Sequence, residues 1–320
     1  MGRTRSGEQP LSRRSSRPAG GRTACRADAR PLFHLDDRSA VDTPVIPLDR
    51  PTVDPAIETH YSSRWDEAVR LSSTVKGRLE QARLYDFLGQ WFPPPPARVA
   101  DIGGGPGVHA GWLRDQGHDV VLLDPVQRHV DQANAEGITA ELGDGRRLPW
   151  SNQSFDAVLM AGPLYHLPEA SDRRLALREA LRVLRPGGVL AAVAINRAAN
   201  LIGSALANTL LTRHGIVREI LETGHSADNE RMAHCYYHRE SELRSELIGA
   251  GLRPVNIFGL TGPGGWLTVM IDAHFKNQRY TNKLAEHDPL DTALECSRLA
   301  DRMPELVAAS SLFLAVAQKG

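Results

Sequence analysis

The densest chemistry in the chain is a seven-residue run, Asp101-Ile102-Gly103-Gly104-Gly105-Pro106-Gly107. Glycines at this density let a backbone turn tightly and approach a ligand closely. The surroundings narrow the ligand. A phosphate-cradling P-loop needs the pattern G-x-x-x-x-G-K-[ST], and no lysine stands near this run. The dinucleotide fingerprint G-x-G-x-x-G fails from each starting glycine; counted from Gly103, its last position is Val108. A helix N-terminus favours pyrophosphate, but an aspartate at the head of the turn opposes it. An acid there suits a ligand with a cationic group.

Further candidates lie on either side. Asp124 closes the apolar run 119–123, and Asp144 stands between Gly143 and Gly145. Both can also be read as plain turn acids. Asp156 reads as structural, a cap at the start of a strand. Tyr165 and His166 follow an apolar run; His166 is the first candidate for a general base or a substrate contact. The group His234, Tyr236, Tyr237 and His238 comes second, with an alternative as an aromatic patch that packs an insertion on the body. Close histidines can bind metal, but no carboxylate–histidine pattern accompanies these, so no metal is expected. Tyr61, Trp65 and Arg78 upstream, and Trp266 after Gly262-Pro263-Gly264-Gly265, complete the set.

These residues need elements to hold them. Order is expected to begin near Glu58, with a helical pattern to Gln90 in which Leu79, Ala82, Tyr85 and Leu88 recur every three residues. Four prolines at 93–96 end it. Short apolar runs at 98–102, 119–123, 138–142, 157–160 and 189–195 then alternate with helical patterns at 108–116, 126–136 and 172–184. That rhythm predicts a parallel α/β sheet, helices on both faces, joined by right-handed crossovers. Arg185-Pro186-Gly187-Gly188 is expected to turn the third helix into its strand. After Asn196 the rhythm breaks. Residues 197–233 and 273–308 read as helical insertions, 241–250 as a helix with Gly251 as its C-cap, and 255–260 and 312–317 as closing strands.

Charge divides the chain. There are 38 basic and 38 acidic residues, but residues 1–30 hold eight Arg against Glu8 and Asp28, which leaves 30 bases and 36 acids in the remainder. Residues 1–55 are rich in Arg, Ser, Pro and Gly and poor in large apolar groups, so they are expected to be a disordered basic tail, or an extension from a misplaced start. A transit peptide or a nucleic-acid arm is the alternative. Residues 56–320 are the expected domain. Three scattered cysteines, Cys25, Cys235 and Cys296, make neither a disulfide framework nor a thiolate zinc site, and a reducing, cytoplasmic setting is expected. No apolar run approaches the roughly 20 residues of a membrane span, so no membrane partner is expected.

Five pieces in order carry a resemblance: residues 99–107, residues 121–125, Gly143-Asp144-Gly145 through Leu148-Pro149, Ser154-Phe155-Asp156-Ala157-Val158, and Leu184-Arg185-Pro186-Gly187-Gly188. Over roughly 58–318 the sequence resembles the class I S-adenosylmethionine-dependent methyltransferases. Within them it is most like small-molecule enzymes of the ubiquinone/menaquinone-biosynthesis type, in particular bacterial members of unassigned substrate. Ala161-Gly162-Pro163-Leu164-Tyr165-His166-Leu167 belongs to that likeness. The resemblance implies a Rossmann-like, doubly wound sheet of seven strands, mostly parallel with the last antiparallel, and helical cap insertions. It implies S-adenosyl-L-methionine as cofactor. Asp101 would face its ammonium side, with Gly103 and Gly105 passing its methionine and ribose portion. Asp124 would accept from the ribose hydroxyls, and Asp144, with Gly145, would meet the adenine amino group. Tyr61 and Arg78 would close over the cofactor. Tyr165 and His166 would be catalytic, and Trp65, His234, Tyr237, His238 and Trp266 would line the acceptor pocket.

The acceptor is expected to be a small organic molecule. Amino-methylating DNA enzymes carry [Asp/Asn/Ser]-Pro-Pro-[Tyr/Phe] after the fourth strand, where this chain has Gly162-Pro163-Leu164-Tyr165. Cytosine-C5 enzymes need a Pro-Cys nucleophile, and arsenic methylation needs several thiols; neither set is present there. A body without excess positive charge lowers nucleic acid as partner. An RNA methyltransferase and a non-catalytic cofactor-binding module are the alternatives. Monomer and homodimer are both open.

Overall fold

A strand sends successive side chains to opposite faces, and strands buried on both faces are apolar throughout. That is the pattern at the centre of this chain. The computed structural model describes residues 67–227, 233–275 and 287–320, all within one unit, Asp49–Gly320. Residues 1–55, Tyr61 and Trp65 lie outside the described residues. In chain order the elements are α1 (Glu67–Ser73), α2 (Val75–Trp91), β1 (Arg98–Ile102), α3 (Val108–Asp115), β2 (Asp119–Asp124), α4 (Gln127–Ala135), β3 (Thr139–Leu142) and β4 (Phe155–Met160). A 3-10 turn (Pro163–His166), α5 (Ala170–Val183), β5 (Leu184–Ile195), α6 (Ala199–Leu206), α7 (His214–Thr223), β6 (His225–Ser226) and β7 (Cys235–Tyr236) follow. The last are α8 (Glu240–Ala250), β8 (Leu252–Gly259), α9 (Gly264–Phe275), α10 (Pro289–Ala300), a 3-10 segment (Pro304–Ala309) and β9 (Leu312–Lys319).

Seven strands form one sheet in the order β3-β2-β1-β4-β5-β9-β8. The first five are parallel, and β9 runs antiparallel to both β5 and β8. Alternation divides the strands between two cores. Ala100, Val158, Leu190, Ala192 and Phe313 pack with Leu177 and Ala180 of α5 and Leu243 and Leu247 of α8. Val99, Leu122, Leu159, Ala191 and Leu314 pack with Leu84, Phe87 and Leu88 of α2 and Leu113 of α3. The strand order reverses between β1 and β4, and in an open α/β sheet the crevice at that switch point, beyond the carboxyl ends of the strands, is where ligands bind.

Most expected elements lie where periodicity puts them. Three differ. The buried face of α2 runs through Leu79, Arg83, Leu84, Phe87 and Leu88, with Ala82 and Tyr85 only half-buried; the three-residue repeat leads slightly off the face that a 3.6-residue period buries. Arg185-Pro186-Gly187-Gly188 is not a separate turn: β5 pairs from Leu184, and the register slips between Phe155 and Ala157 to absorb the extra residues. Asp156 is structural, accepting from the Arg98 amide at 2.8 Å and pairing with Arg185. The insertion after Asn196 is not all helical, since α7 ends at Gly224 in the left-handed region (φ 82°) and leads into the β6–β7 pair. The helical segment expected from residue 273 begins earlier, at Gly264. A Cβ at Gly264 would stand 2.1 Å from the Ala293 carbonyl oxygen, so the glycine is what lets α9 and α10 approach.

Candidate active site

β1 delivers Asp101 to its end, and the chain turns over it. Gly103, Gly105 and Gly107 hold φ of 68°, 57° and 90°, which an L side chain rarely adopts. A Cβ at Gly104 would lie 2.7 Å from Asp101 Oδ2, so the carboxyl sits directly beneath the loop. A Cβ at Gly103 would lie 2.6 Å from Pro163 Cγ, so the loop also touches the segment after β4. Asp101 is fully buried, and neither carboxyl oxygen has a well-formed hydrogen bond among the described residues. Burial pushes its pKa up to about 7, the neighbouring Asp124 adds to the rise, and the Ala110 backbone N–H pulls the other way. A buried carboxyl of this kind is costly until it gains a partner.

The walls around it come from α2 and α3. The Tyr85 ring stacks on Trp112 at 4.1 Å and meets His109 edge-on at 5.8 Å. The Tyr85 hydroxyl accepts from Gln81 Nε2 at 3.1 Å. Burial, and more weakly the Asp101 charge, push it up to about 12. Burial holds His109 down at about 4, so its imidazole is neutral near pH 7.

Asp124 ends β2 beside the same loop. Its Oδ2 accepts from the Gly105 amide at 2.8 Å, and its Oδ1 accepts from the Val126 amide at 2.9 Å and lies 3.0 Å from His129 Nδ1. A carboxylate offers about four lone-pair sites, so three protein partners leave room for a ligand hydroxyl. Asp144 is differently engaged. Arg146 takes both its oxygens, with Nη2 at 2.6 Å from Oδ2, and reaches on to Asp172 at 2.6 Å. Gly145 packs close over β1, where a Cβ would lie 3.1 Å from Ile102 Cγ2.

The opposite wall is the turn after β4. Tyr165 and His166 lie on its 3-10 turn with ring centroids 4.6 Å apart. β7 packs against that turn, which brings the second candidate group to the first. The rings of His225 and His234 are 6.0 Å apart, those of His225 and Tyr236 5.1 Å, and those of Tyr236 and His238 4.8 Å. Arg173 of α5 ties the two groups together. Its Nη1 donates to the carbonyls of Leu167 (2.9 Å) and Pro168 (2.6 Å), its Nη2 pairs with Glu246 at 2.8 Å, and its guanidinium stacks 3.8 Å over the Tyr236 ring.

Tyr237 turns away from this group into a small core with Ile220 and Cys235. Trp266 packs where α9 starts, its indole N–H donating to the Ala309 carbonyl at 2.6 Å. Arg78 is exposed on α2, seven residues before Tyr85 and so on the same side of the helix. Several residues of the site went unread in the sequence: Gln81, Trp112, His109, His129, Arg146, Arg173 and Glu246. Arg173 had left a signal, since it holds the helical phase of Ala176, Leu177 and Ala180 and so had to be buried.

Comparison with known proteins bears on the fold that carries these residues. Residues 100–192 match the methyltransferase domain family. An uncharacterized methyltransferase of Mycobacterium tuberculosis is 38% identical over 139 residues, 41% of this chain and 54% of the relative. A demethylmenaquinone methyltransferase of Beutenbergia cavernae is 34% identical over 129 residues, 40% of this chain and 51% of the relative. A tRNA 5-carboxymethoxyuridine methyltransferase of Escherichia coli is 32% identical over 132 residues, 38% of this chain and 51% of the relative. The chain thus spans about half the length of the curated relatives it matches. Among solved structures, a methyltransferase of Haloferax volcanii in complex with the Trm112 methyltransferase activator aligns with TM-score 0.52 at 18% identity, covering 82% of this chain and 96% of that one. An S-adenosylmethionine-dependent methyltransferase of Methanosarcina mazei aligns with TM-score 0.50 at 16% identity, covering 73% of this chain and 97% of that one. Residues 100–192 thus match a methyltransferase domain, and the chain shares the fold of these solved methyltransferases.

Proposed function

We propose that the chain transfers a methyl group from S-adenosylmethionine to a small organic molecule. The observation that carries the reading is Asp101, a buried carboxyl beneath a glycine loop, with no well-formed hydrogen bond among the described residues and a second acid beside it. A cationic ligand supplies what the site lacks. The described residues fit this cofactor: Asp101 for the ammonium side, Gly103 and Gly105 for close backbone approach, Asp124 for the ribose hydroxyls. Gly145 and Asp144 are the residues proposed to meet the adenine, and Asp144 would accept from its amino group only by sharing its oxygens with Arg146. Arg78 shares the Tyr85 side of α2 and would meet the cofactor carboxylate.

When bound, the cofactor supplies an activated methyl group on a sulfonium. The protein then has mainly to align a nucleophile, and orientation of that kind is worth up to ~7–11 kcal/mol. Tyr165 and His166 are the residues proposed to meet the acceptor, with His234, His238 and Trp266 on its outer side. Tyr61 and Trp65 complete the proposed cover, and Tyr237 supports it from its small core.

A small molecule is favoured over RNA because the chain beyond residue 30 has six more acids than bases, and RNA binding draws on excess positive charge. The demethylmenaquinone relative points the same way, and the tRNA relative is the observation that favours RNA. A non-catalytic cofactor-binding module is the third reading. Incubation with methyl-labelled cofactor and a cell extract separates them: label in the small-molecule fraction supports the proposal, label in RNA supports the second reading, and cofactor binding without transfer supports the third.

A further inference from the structure

β4 ends at Met160, opposite Ala192, while β5 continues to Ile195. The edge of β5 that β4 leaves free is taken by His238. Its amide donates to the Ile195 carbonyl at 2.8 Å, and its carbonyl accepts from the Arg197 amide at 2.8 Å. The Asn196 amide between them points the other way, to Ser311 of the β9 side. His238 therefore stands directly beyond the carboxyl end of β4, beside the chain that turns into Tyr165 and His166.

The side chain of His238 is wholly buried. Its Nε2 lies 3.2 Å from Glu246 Oε2. The Glu246 carboxyl also takes the Arg173 guanidinium, and despite its burial these two partners hold it below the usual carboxylate range. The other ring nitrogen, Nδ1, is out of solvent and has no hydrogen-bond partner among the described residues. A buried polar atom left unsatisfied costs roughly 1–3 kcal/mol, which a bound hydroxyl would relieve. The groups facing the ring are Glu246 of α8, Arg173 of α5 behind it, the Tyr236 ring of β7 edge-on, and the backbone of Ile195 and Arg197. An ionised Glu246 on Nε2 fixes the proton there and leaves Nδ1 as the acceptor.

We propose that His238 Nδ1 is the general base of the reaction, oriented by Glu246, and that the acceptor is a weakly acidic hydroxyl, phenolic or enolic. This rests on the methyltransferase reading above. The hydroxyl proton passes to Nδ1, its oxygen forms the bond to the methyl carbon, and the carbon–sulfur bond of the cofactor breaks. S-adenosylhomocysteine leaves neutral, and the imidazolium rests against Glu246 until its proton is lost to solvent. His166 then contacts the acceptor without taking its proton. A carboxylic acid or an amine already free of its proton would leave His238 without work.

The test uses the full chain, labelled S-adenosylmethionine, and two probe acceptors: hydroquinone, a weak acid, and 4-nitrophenol, already partly ionised at neutral pH. The wild type is expected to methylate both. His238→Gln, which keeps an amide to bond Glu246, is expected to lose at least 100-fold on hydroquinone, to keep the nitrophenol rate within about threefold, and to regain hydroquinone transfer as pH rises. Glu246→Gln is expected to lose less on hydroquinone and to move the acid limb of the pH profile. S-adenosylhomocysteine affinity is expected to stay unchanged in both. Equal losses on both acceptors, or no loss on hydroquinone, overturn the base. Failure of the wild type to methylate either acceptor while binding S-adenosylhomocysteine overturns the acceptor class. Failure to bind S-adenosylhomocysteine at all overturns the methyltransferase reading instead. If His238→Gln does not fold, Glu246→Gln carries the same comparison.

Discussion

The Gly105 amide donates a 2.8 Å hydrogen bond to Asp124 Oδ2. The residue proposed to hold the ribose is thus also the residue that shapes the glycine loop. Asp124 serves the Val126 amide and His129 as well. Removing it leaves those donors unsatisfied, and each such loss costs on the order of 1–3 kcal/mol. Asp124→Ala is therefore expected to lower both thermal stability and cofactor affinity. Asp124→Asn keeps one acceptor oxygen, so it is expected to retain most of the stability and to lose roughly tenfold in S-adenosylhomocysteine binding, as one charge-assisted bond is weakened. Calorimetric titration beside a melting curve separates the two effects.

Asp101 makes binding depend on pH. Its pKa stands near 7 in the folded chain, against about 3.9 in an unfolded one. Between those values the folded state holds more protons than the unfolded state. Stability is therefore expected to fall as pH rises from about 4 to about 7 and to level off above. A cationic ligand favours the ionised form, so S-adenosylhomocysteine binding is expected to release a proton below pH 7 and to tighten as pH approaches 7 from below. Titration calorimetry at pH 6 in buffers of different ionisation heat reads that proton directly. Asp101→Asn is expected to abolish the release and to weaken binding roughly 10- to 100-fold, the worth of one hydrogen bond to a charge.

Gly103→Ala combines two penalties. The φ of 68° disfavours a side chain, by about 1–2 kcal/mol. The added methyl would also meet Pro163 Cγ at 2.6 Å, which displaces the start of the turn that carries Tyr165 and His166. Lower melting temperature and weaker cofactor binding are both expected. Gly187→Ala has a similar φ of 77° but open space around it, so it is expected to cost stability alone and serves as the control.

Arg173→Ala is expected to be among the most destabilising single changes. It strips a half-buried Glu246 of its cation and leaves the Leu167 and Pro168 carbonyls without their donor. Breaking one side of a buried pair costs about 3–5 kcal/mol. Arg173→Lys is expected to recover only part, because an ammonium cannot reproduce the fork that reaches Glu246 and both carbonyls together. Urea unfolding of the two variants checks the order.

The layers of the fold were legible because period-two and helical patterns are local properties of the sequence. Asp101 and Asp124 were legible as candidates because each stands at or near the end of an apolar run, which is also a local property. What was not legible is contact between distant segments. Arg83 looks like any helix arginine, yet it is buried and meets the Leu260 carbonyl and Asp301; only its phase with Leu79 and Phe87 hinted at that. Arg146 is two residues from Asp144, but nothing in that spacing says that it will take both carboxyl oxygens rather than point to solvent. The hairpin that carries His238 to the end of β4 pairs residues about ten apart through a segment with weak strand signals, and its place depends on a strand edge that exists only once the sheet is built.

The proposed reaction is transfer of the methyl group to a small molecule. Its most direct test is incubation of the full chain with methyl-labelled S-adenosylmethionine and a cell extract, followed by separation into small-molecule and RNA fractions. Label is expected in the small-molecule fraction together with stoichiometric S-adenosylhomocysteine. Label confined to RNA, or no S-adenosylhomocysteine formed by a protein that binds it, would rule out methyl transfer to a small molecule.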